Sequence, residues 1–171
     1  MSSTPYSSIE QDYSGGAVAD TIYNFTKVTG ANYYSYQVEE NAQGALMQTT
    51  YDLNNGDHVL VGAQNGLTIA SLGDDVMTGG GSSETFVFNP IFGADKITDF
   101  AAHDSGASHD TISLSTTDFA NFSAVLHDAT ASGTGGANTT IASTATGDAL
   151  TFVGVTPTAL AGLAADFAFH S

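Results

Sequence analysis

Between Gly56 and Ile97 a three-point pattern recurs. His58, Leu67, Asp75, Glu84 and Asp95 lie 9, 8, 9 and 11 residues apart. Two residues after each stands an apolar side chain (Leu60, Ile69, Met77, Phe86, Ile97). Two residues before each stands a small or polar one (Gly56, Asn65, Gly73, Ser82, Gly93). Self-similarity at a short fixed period constrains a fold more than any single element does, because each unit must stack on its neighbours to bury its apolar face. A nine-residue unit of loop plus short strand makes half a turn of a flattened β-helix, and loops two units apart then stack on the same edge. The loops at 56–58, 73–75 and 93–95 are expected on one edge, and those at 65–67 and 82–84 on the other.

The loops carry hard oxygen donors. Glycine lets the backbone turn tightly and aim carbonyls inward, and Ca²⁺ takes six to eight oxygens from carboxylates and carbonyls. The strongest expected site lies between Gly73-Asp74-Asp75 and Gly93-Ala94-Asp95, with Asp75 and Asp95 as carboxylates and Asp99 as a cap. Below it, His58 stands at the acid position beside Asn55 and Asp57. On the other edge Leu67 replaces the acid, which leaves Glu84 and the backbone near Gly62 and Gly79. One or two calcium sites are expected rather than a long row. Glycine and aspartate are also ordinary turn residues, so a plain β-meander with solvated acidic turns stays open at this point.

Charge favours the cation reading. The 171 residues hold 18 Asp and Glu against two Lys and no Arg, a formal charge of −16. Such a chain does not suit nucleic acid or anionic membrane surfaces, and its self-repulsion is relieved by divalent cations. There is no cysteine to staple it, and no apolar run long enough to span a membrane. The start, MSSTPYSSIEQDYSGG, has neither a basic n-region nor an apolar h-region, so no Sec signal peptide is expected.

Four regions are expected: a flexible leader at 1–16, a β-rich segment at 17–53, the degenerate repeat at 54–100, and a capping region at 101–171. In the second, AVADTIYNF, NYYSYQVEE and ALMQTTYDL are rich in Tyr, Thr and β-branched residues and read as strands. In the last, Phe119, Phe122, Val125 and Leu126 have helical spacing behind Ser115 or Thr116 as N-cap. TTIAST and ALTFVGV read as a strand pair around Gly147-Asp148, and Thr156-Pro157 opens a second short helix.

The run ETFVF (84–88), GADKITDF (93–100) and DTISLS (110–115) resembles the last repeat and closing segment of RTX proteins, the Gly/Asp-rich calcium-binding proteins exported by type I secretion. Their repeat reads G-G-x-G-x-D-x-U-x. The resemblance covers about residues 54–171 and is most specific over 73–115. It implies an all-β chain built on a short parallel β-roll or β-solenoid, with additional strands and one or two short C-terminal helices. It implies bound Ca²⁺ at Gly73, Asp74, Asp75, Gly93, Asp95 and Asp99, with Asn55, Asp57, Gly79 and Glu84 at weaker positions. It also implies an uncleaved C-terminal export signal, loosely matched by Asp166, Phe167 and Phe169. The expected location is then extracellular or at the cell surface, with the type I secretion machinery as partner.

No catalytic constellation stands out: there is no nucleophile elbow, no H-E-x-x-H and no phosphate loop. HDSGASHD (103–110) could bind a transition metal but reads as a loop. Three functions follow. A secreted calcium-binding protein with a structural, adhesive or matrix role, open to self-assembly, is the leading one. A noncatalytic module of a secreted hydrolase or polysaccharide-modifying enzyme is the second. A carbohydrate-binding role for Tyr33, Tyr34 and Tyr36 is the third, against which packing is the plainer reading.

Overall fold

The computed structural model of the protein describes residues 8–14, 17–26, 33–53, 58–62, 67–70, 72–80, 83–102 and 109–171. Five strands open the chain as an antiparallel meander: β1 (Ser8–Ser14), β2 (Ala17–Thr26), β3 (Tyr33–Asn41), β4 (Leu46–Leu53) and β5 (His58–Gly62). Their content of Thr, Tyr and β-branched residues suits a pleated, half-buried surface. The β3–β4 turn is fixed by Asn41, whose side-chain oxygen accepts the N–H of Gln43 and of Ala45, both at 3.0 Å. Residues 8–14 thus pair with β2, where the sequence suggested a flexible leader; residues 1–7 lie outside the described residues.

From β5 onward the pairing changes character. Strands β6 (Leu67–Ile69), β7 (Val76–Thr78), β8 (Thr85–Phe88), β9 (Ala94–Ile97) and β10 (Thr111–Ser115) go alternately to two sheets. β5, β7 and β9 lie parallel and adjacent in one sheet. β6, β8 and β10 lie parallel and adjacent in the other. After helix α1 (Phe122–His127) the chain adds an antiparallel set, β11 (Ala129–Ser132), β12 (Asn138–Ala142) and β13 (Ala149–Phe152). β13 lies parallel to β9. After helix α2 (Pro157–Leu160), β14 (Phe167–His170) lies parallel to β10, so the last two strands resume the alternation. The result is a ten-stranded sheet, β1-β2-β3-β4-β5-β7-β9-β13-β12-β11, and a four-stranded sheet, β14-β10-β8-β6. The described residues are mostly β-strand, with a few short helices. The larger sheet is mixed, parallel at its centre and antiparallel on both flanks, so a parallel arrangement does not describe the whole chain.

The core explains the short strands. Leu60, Met77, Ile97 and Phe152 occupy successive register positions across β5, β7, β9 and β13, and all are buried. Phe86 and Ile112 do the same across β8 and β10, as do Phe88 and Leu114. These side chains form one cluster with Phe92, Phe119, Val125, Leu150 and Leu160, and each contributes roughly 1.5–3 kcal/mol by leaving water. Alternation of side chains along a strand puts every second residue inward. This is why the apolar member of the repeat stands two places beyond the acid.

Two local expectations shift. In the unit at 67, Thr68 pairs with Phe86 and is buried, whereas the repeat spacing had placed Ile69 inward. Helix α1 starts later than expected: Asn121 is its N-cap, accepting from Ala124 N at 3.1 Å, and Ser115 belongs to β10. Phe119 consequently precedes the helix, and Leu126 is exposed. Helix α2 begins as expected, with Thr156 Oγ1 accepting from Ala159 N and Pro157 at the first position.

Candidate metal centre

The register places His58, Asp75 and Asp95 side by side, each one residue before the first paired positions Val59, Val76 and Lys96. Asp75 and Asp95 are almost wholly buried. The acids are joined by a ladder of bonds to the main chain. Asp95 Oδ1 accepts the N–H of Asp75 at 2.8 Å, and Asp75 Oδ1 accepts the N–H of His58 at 3.2 Å. His58 Nδ1 also lies 2.8 Å from Asp75 Oδ1, and its Nε2 lies 3.7 Å from Asp52 Oδ1 on β4. Ser35 Oγ in turn donates to Asp52. This chain of contacts ties the N-terminal meander to the parallel strands.

The next acid is offset. Asp148, at the start of β13, falls opposite Gly93 rather than Asp95. Its two oxygens accept the N–H groups of Gly93 at 3.0 Å and Ile91 at 2.7 Å. Asp74 reaches the other way and accepts from Ala94 N at 3.0 Å. Gly93 has φ +95°, and a Cβ there would run into the carbonyl of Gly73. That close approach brings the 73–75 and 93–95 loops into contact, and only glycine permits it.

Asp95 is buried with one oxygen unmet. Its Oδ2 is shut off from solvent and has no hydrogen-bond partner among the described residues. Its pKa is pushed up from 3.8 to about 8, first by burial; the bond from Asp75 N opposes this, and the charges of Asp75, Asp74 and Asp148 add to it. A carboxyl in that position needs either a proton or a cation.

On the opposite edge the acids are more fully engaged. Glu84 is buried, with Oε1 3.1 Å from Thr68 Oγ1 and its carboxylate against Gly62. Asp110, at the start of β10, accepts from Glu84 N at 2.9 Å and from Ala101 N at 2.8 Å, one bond to each oxygen. Burial raises the Asp110 pKa, those two bonds lower it, and Asp99 raises it further. Asp99 belongs to this edge: it accepts from Gly79 N at 2.9 Å and Gly80 N at 3.0 Å, beyond the C-terminal end of β7. It therefore does not cap the Asp75–Asp95 pair. The acid at the head of a strand and the acid two residues past its end go to opposite edges, since strand β9 separates them.

The remaining candidates divide simply. Asn55 and Asp57 lie outside the described residues, as does the 103–108 stretch. Gly79 is buried against Glu84 and Phe86. Tyr36 lies parallel between Phe25 (centroids 4.4 Å apart, 1° between planes) and Tyr51 (5.8 Å, 28°). Both faces of its ring are thus taken by neighbours, which supports packing over sugar stacking; the side chains of Tyr33 and Tyr34 lie outside the described residues. At the C-terminus Asp166 is fully buried and residues 167–170 form β14.

As donors, the oxygens of Asp75, Asp95 and Asp74 fit the hard-cation chemistry of Ca²⁺, and the solitary Asp95 Oδ2 is the atom that such an ion would satisfy. Among the described residues no set of three or more His, Asp or Glu side chains is arranged to hold a metal ion, so a full shell would draw on main-chain carbonyls as well. Sequence reasoning missed Asp118 and Asp148 as members of the acidic edges; Asp148 directly precedes the ALTF strand, which was the available signal. No helix among the described residues is long and apolar enough to cross a membrane. Neither a protein-family model, nor a curated protein, nor a solved structure matches the chain.

Proposed function

We propose that the protein is a secreted RTX-like calcium-binding β-roll with a structural, adhesive or matrix role, stabilised by Ca²⁺ outside the cell. The observation that carries this reading is the buried, acid-lined edge at Asp75 and Asp95. It lies within strands that alternate between two sheets, each parallel to the strand two before it. Asp95, Asp75 and Asp74 would hold the ion, with carbonyls of the glycine-containing loops. The ion would supply the positive charge that Asp95 otherwise lacks. In its absence the acids repel one another and the folded state is weakened.

Export by type I machinery is part of the proposal, with the segment from Asp166 to Ser171 as signal. Because Asp166 and β14 are packed into the fold, recognition of that segment would precede folding. Strands β1, β11, β6 and β14 end the two sheets, and self-assembly would use such edges.

The test is a calcium titration followed by circular dichroism and thermal unfolding, starting in excess EGTA. Calcium should raise Tm, and Asp95→Asn should remove most of that rise. A chain equally stable with and without calcium overturns the reading. For export, secretion of a chain lacking residues 166–171 at the wild-type level would sink the C-terminal signal.

A further inference from the structure

We propose that Asp118 and Asp148 form a second cation site, flanked by the hydroxyls of Thr146 and Ser143, that takes a hard divalent ion such as Ca²⁺. Asp118 lies in the turn after β10 and is only 9% exposed. Its Oδ1 accepts from Thr146 Oγ1. Its Oδ2 is closed off from solvent and has no hydrogen-bond partner among the described residues. Thr146 Oγ1 also lies 3.1 Å from Ser143 Oγ and accepts the main-chain N–H of Asp148 at 3.3 Å. Asp148 is 3% exposed. Ser143 Oγ reaches the main-chain oxygen of Asp118 at 3.4 Å.

The site has hard oxygens of three kinds in one buried place, two carboxylates, two hydroxyls and a carbonyl, and one oxygen with no donor to satisfy it. Hard divalent ions are held by such mixed sets. Burial pushes the Asp118 pKa up; the side-chain bonds of Thr146 and Ser143 oppose this, and Asp148 adds to it both by its charge and by lying within hydrogen-bond reach of the Asp118 carboxyl, so that without a cation the two carboxyls would have to share a proton. Asp95 lies in β9 and Asp118 in the turn after β10, and each keeps its own buried oxygen without a partner, so the two orphaned oxygens are distinct. An ion at Asp118 and Asp148 would join three loops that the sequence keeps far apart: the exit of β10, the β12–β13 turn and, through the Ile91 and Gly93 amides, the β8–β9 loop. The inference rests on the reading that this acidic edge binds calcium.

Calorimetric titration of Ca²⁺ into the wild type, Asp118→Asn and Asp95→Asn tests it. The wild type should show two binding events and each variant one. If Asp118→Asn binds as the wild type does, this site is overturned while the Asp95 site stands. If Asp118→Asn loses an event and Asp95→Asn loses none, this site stands and the Asp95 site falls. No binding to the wild type removes both. A measurement without substitutions guards against a variant that fails to fold: the ¹³C carboxyl resonances of Asp118 and Asp148 should shift when Ca²⁺ is added. Resonances that stay in place while those of Asp95 move overturn the second site.

Discussion

The two edges of the strand pile use the same residue in the same position for different ends. On the edge of β8 and β10, Asp110 is saturated: each of its oxygens accepts one main-chain N–H. On the edge of β7, β9 and β13, Asp95 accepts one N–H and keeps a second oxygen buried with nothing to bond to. The first arrangement is complete as protein. In the second, burial first, and then the charges of Asp75, Asp74 and Asp148, disfavour the ionised carboxyl. An acid at a turn is therefore not evidence of a metal site by its type or spacing; what marks the second edge is a buried carboxyl oxygen left without a donor.

The largest expected effect separates the edges by their glycines. Gly93→Ala places a Cβ against the Gly73 carbonyl, in a backbone conformation with φ +95°. The clash is with main chain rather than with the end of a flexible side chain, so a loss of about 3 kcal/mol or more is expected. Gly62→Ala on the other edge meets the ends of the Glu84 and Thr68 side chains, which can rotate, and should cost about 1–2 kcal/mol. Chemical denaturation of both variants checks the order; equal losses would mean that the edges are packed alike.

Replacing each acid by its amide should then give opposite signs. Asp110→Asn keeps only one good acceptor for two buried N–H groups, and a loss of about 1 kcal/mol is expected after the relief of burying a charge is counted. Asp95→Asn keeps the acceptor for Asp75 N and replaces the orphaned oxygen by a neutral donor among acids. In EGTA at pH 8 it should stabilise the protein by on the order of 1–3 kcal/mol, while abolishing most of the stabilisation by calcium.

The same burial predicts a pH dependence. Between an unfolded value near 3.9 and the folded value of about 8, the native chain holds the Asp95 proton more tightly than the unfolded chain does. The metal-free protein should therefore lose stability as pH rises through this window. The upward shifts of Asp110 and Asp118 act in the same direction. Thermal unfolding in EGTA from pH 5 to pH 8 should show a falling Tm, with a shallower fall for Asp95→Asn. A Tm that rises across this range would contradict the raised pKa of Asp95.

How far this edge could be read from the sequence depends on how each contact is specified. The pairing of the strands beginning at His58, Val76 and Ala94 was legible, because a short period and an inward apolar residue in each unit fix the same register. The unit at Leu67 was misread by one residue: its inward position holds Thr68, so hydrophobicity pointed to the wrong side chain. Asp118 and Asp148 were invisible as a pair, since no period links them and their meeting depends on the β12–β13 turn folding back. The antiparallel flanks were legible as strands but not as members of the same sheet as the repeat, because pairing partners are chosen by edges rather than by composition.

The smallest effect concerns what holds Asp148 in place. Ile91 has φ +70°, which a β-branched residue adopts only under strain, and its side chain is exposed. Packing therefore does not explain the conformation. Its N–H, donated to Asp148 Oδ2 at 2.7 Å, does: the carboxylate draws the loop into a shape that the side chain opposes. Such strain typically costs about 1–3 kcal/mol, and Ile91→Gly relieves it while leaving the N–H in place. The added freedom of glycine in the unfolded chain takes back roughly 0.5–1 kcal/mol, so a net gain of about 1 kcal/mol is expected. Calcium binding at Asp148 should persist in this variant, because the carboxylate keeps its donor. A variant that gained stability but lost calcium would show that the isoleucine side chain, rather than its amide, shapes the site.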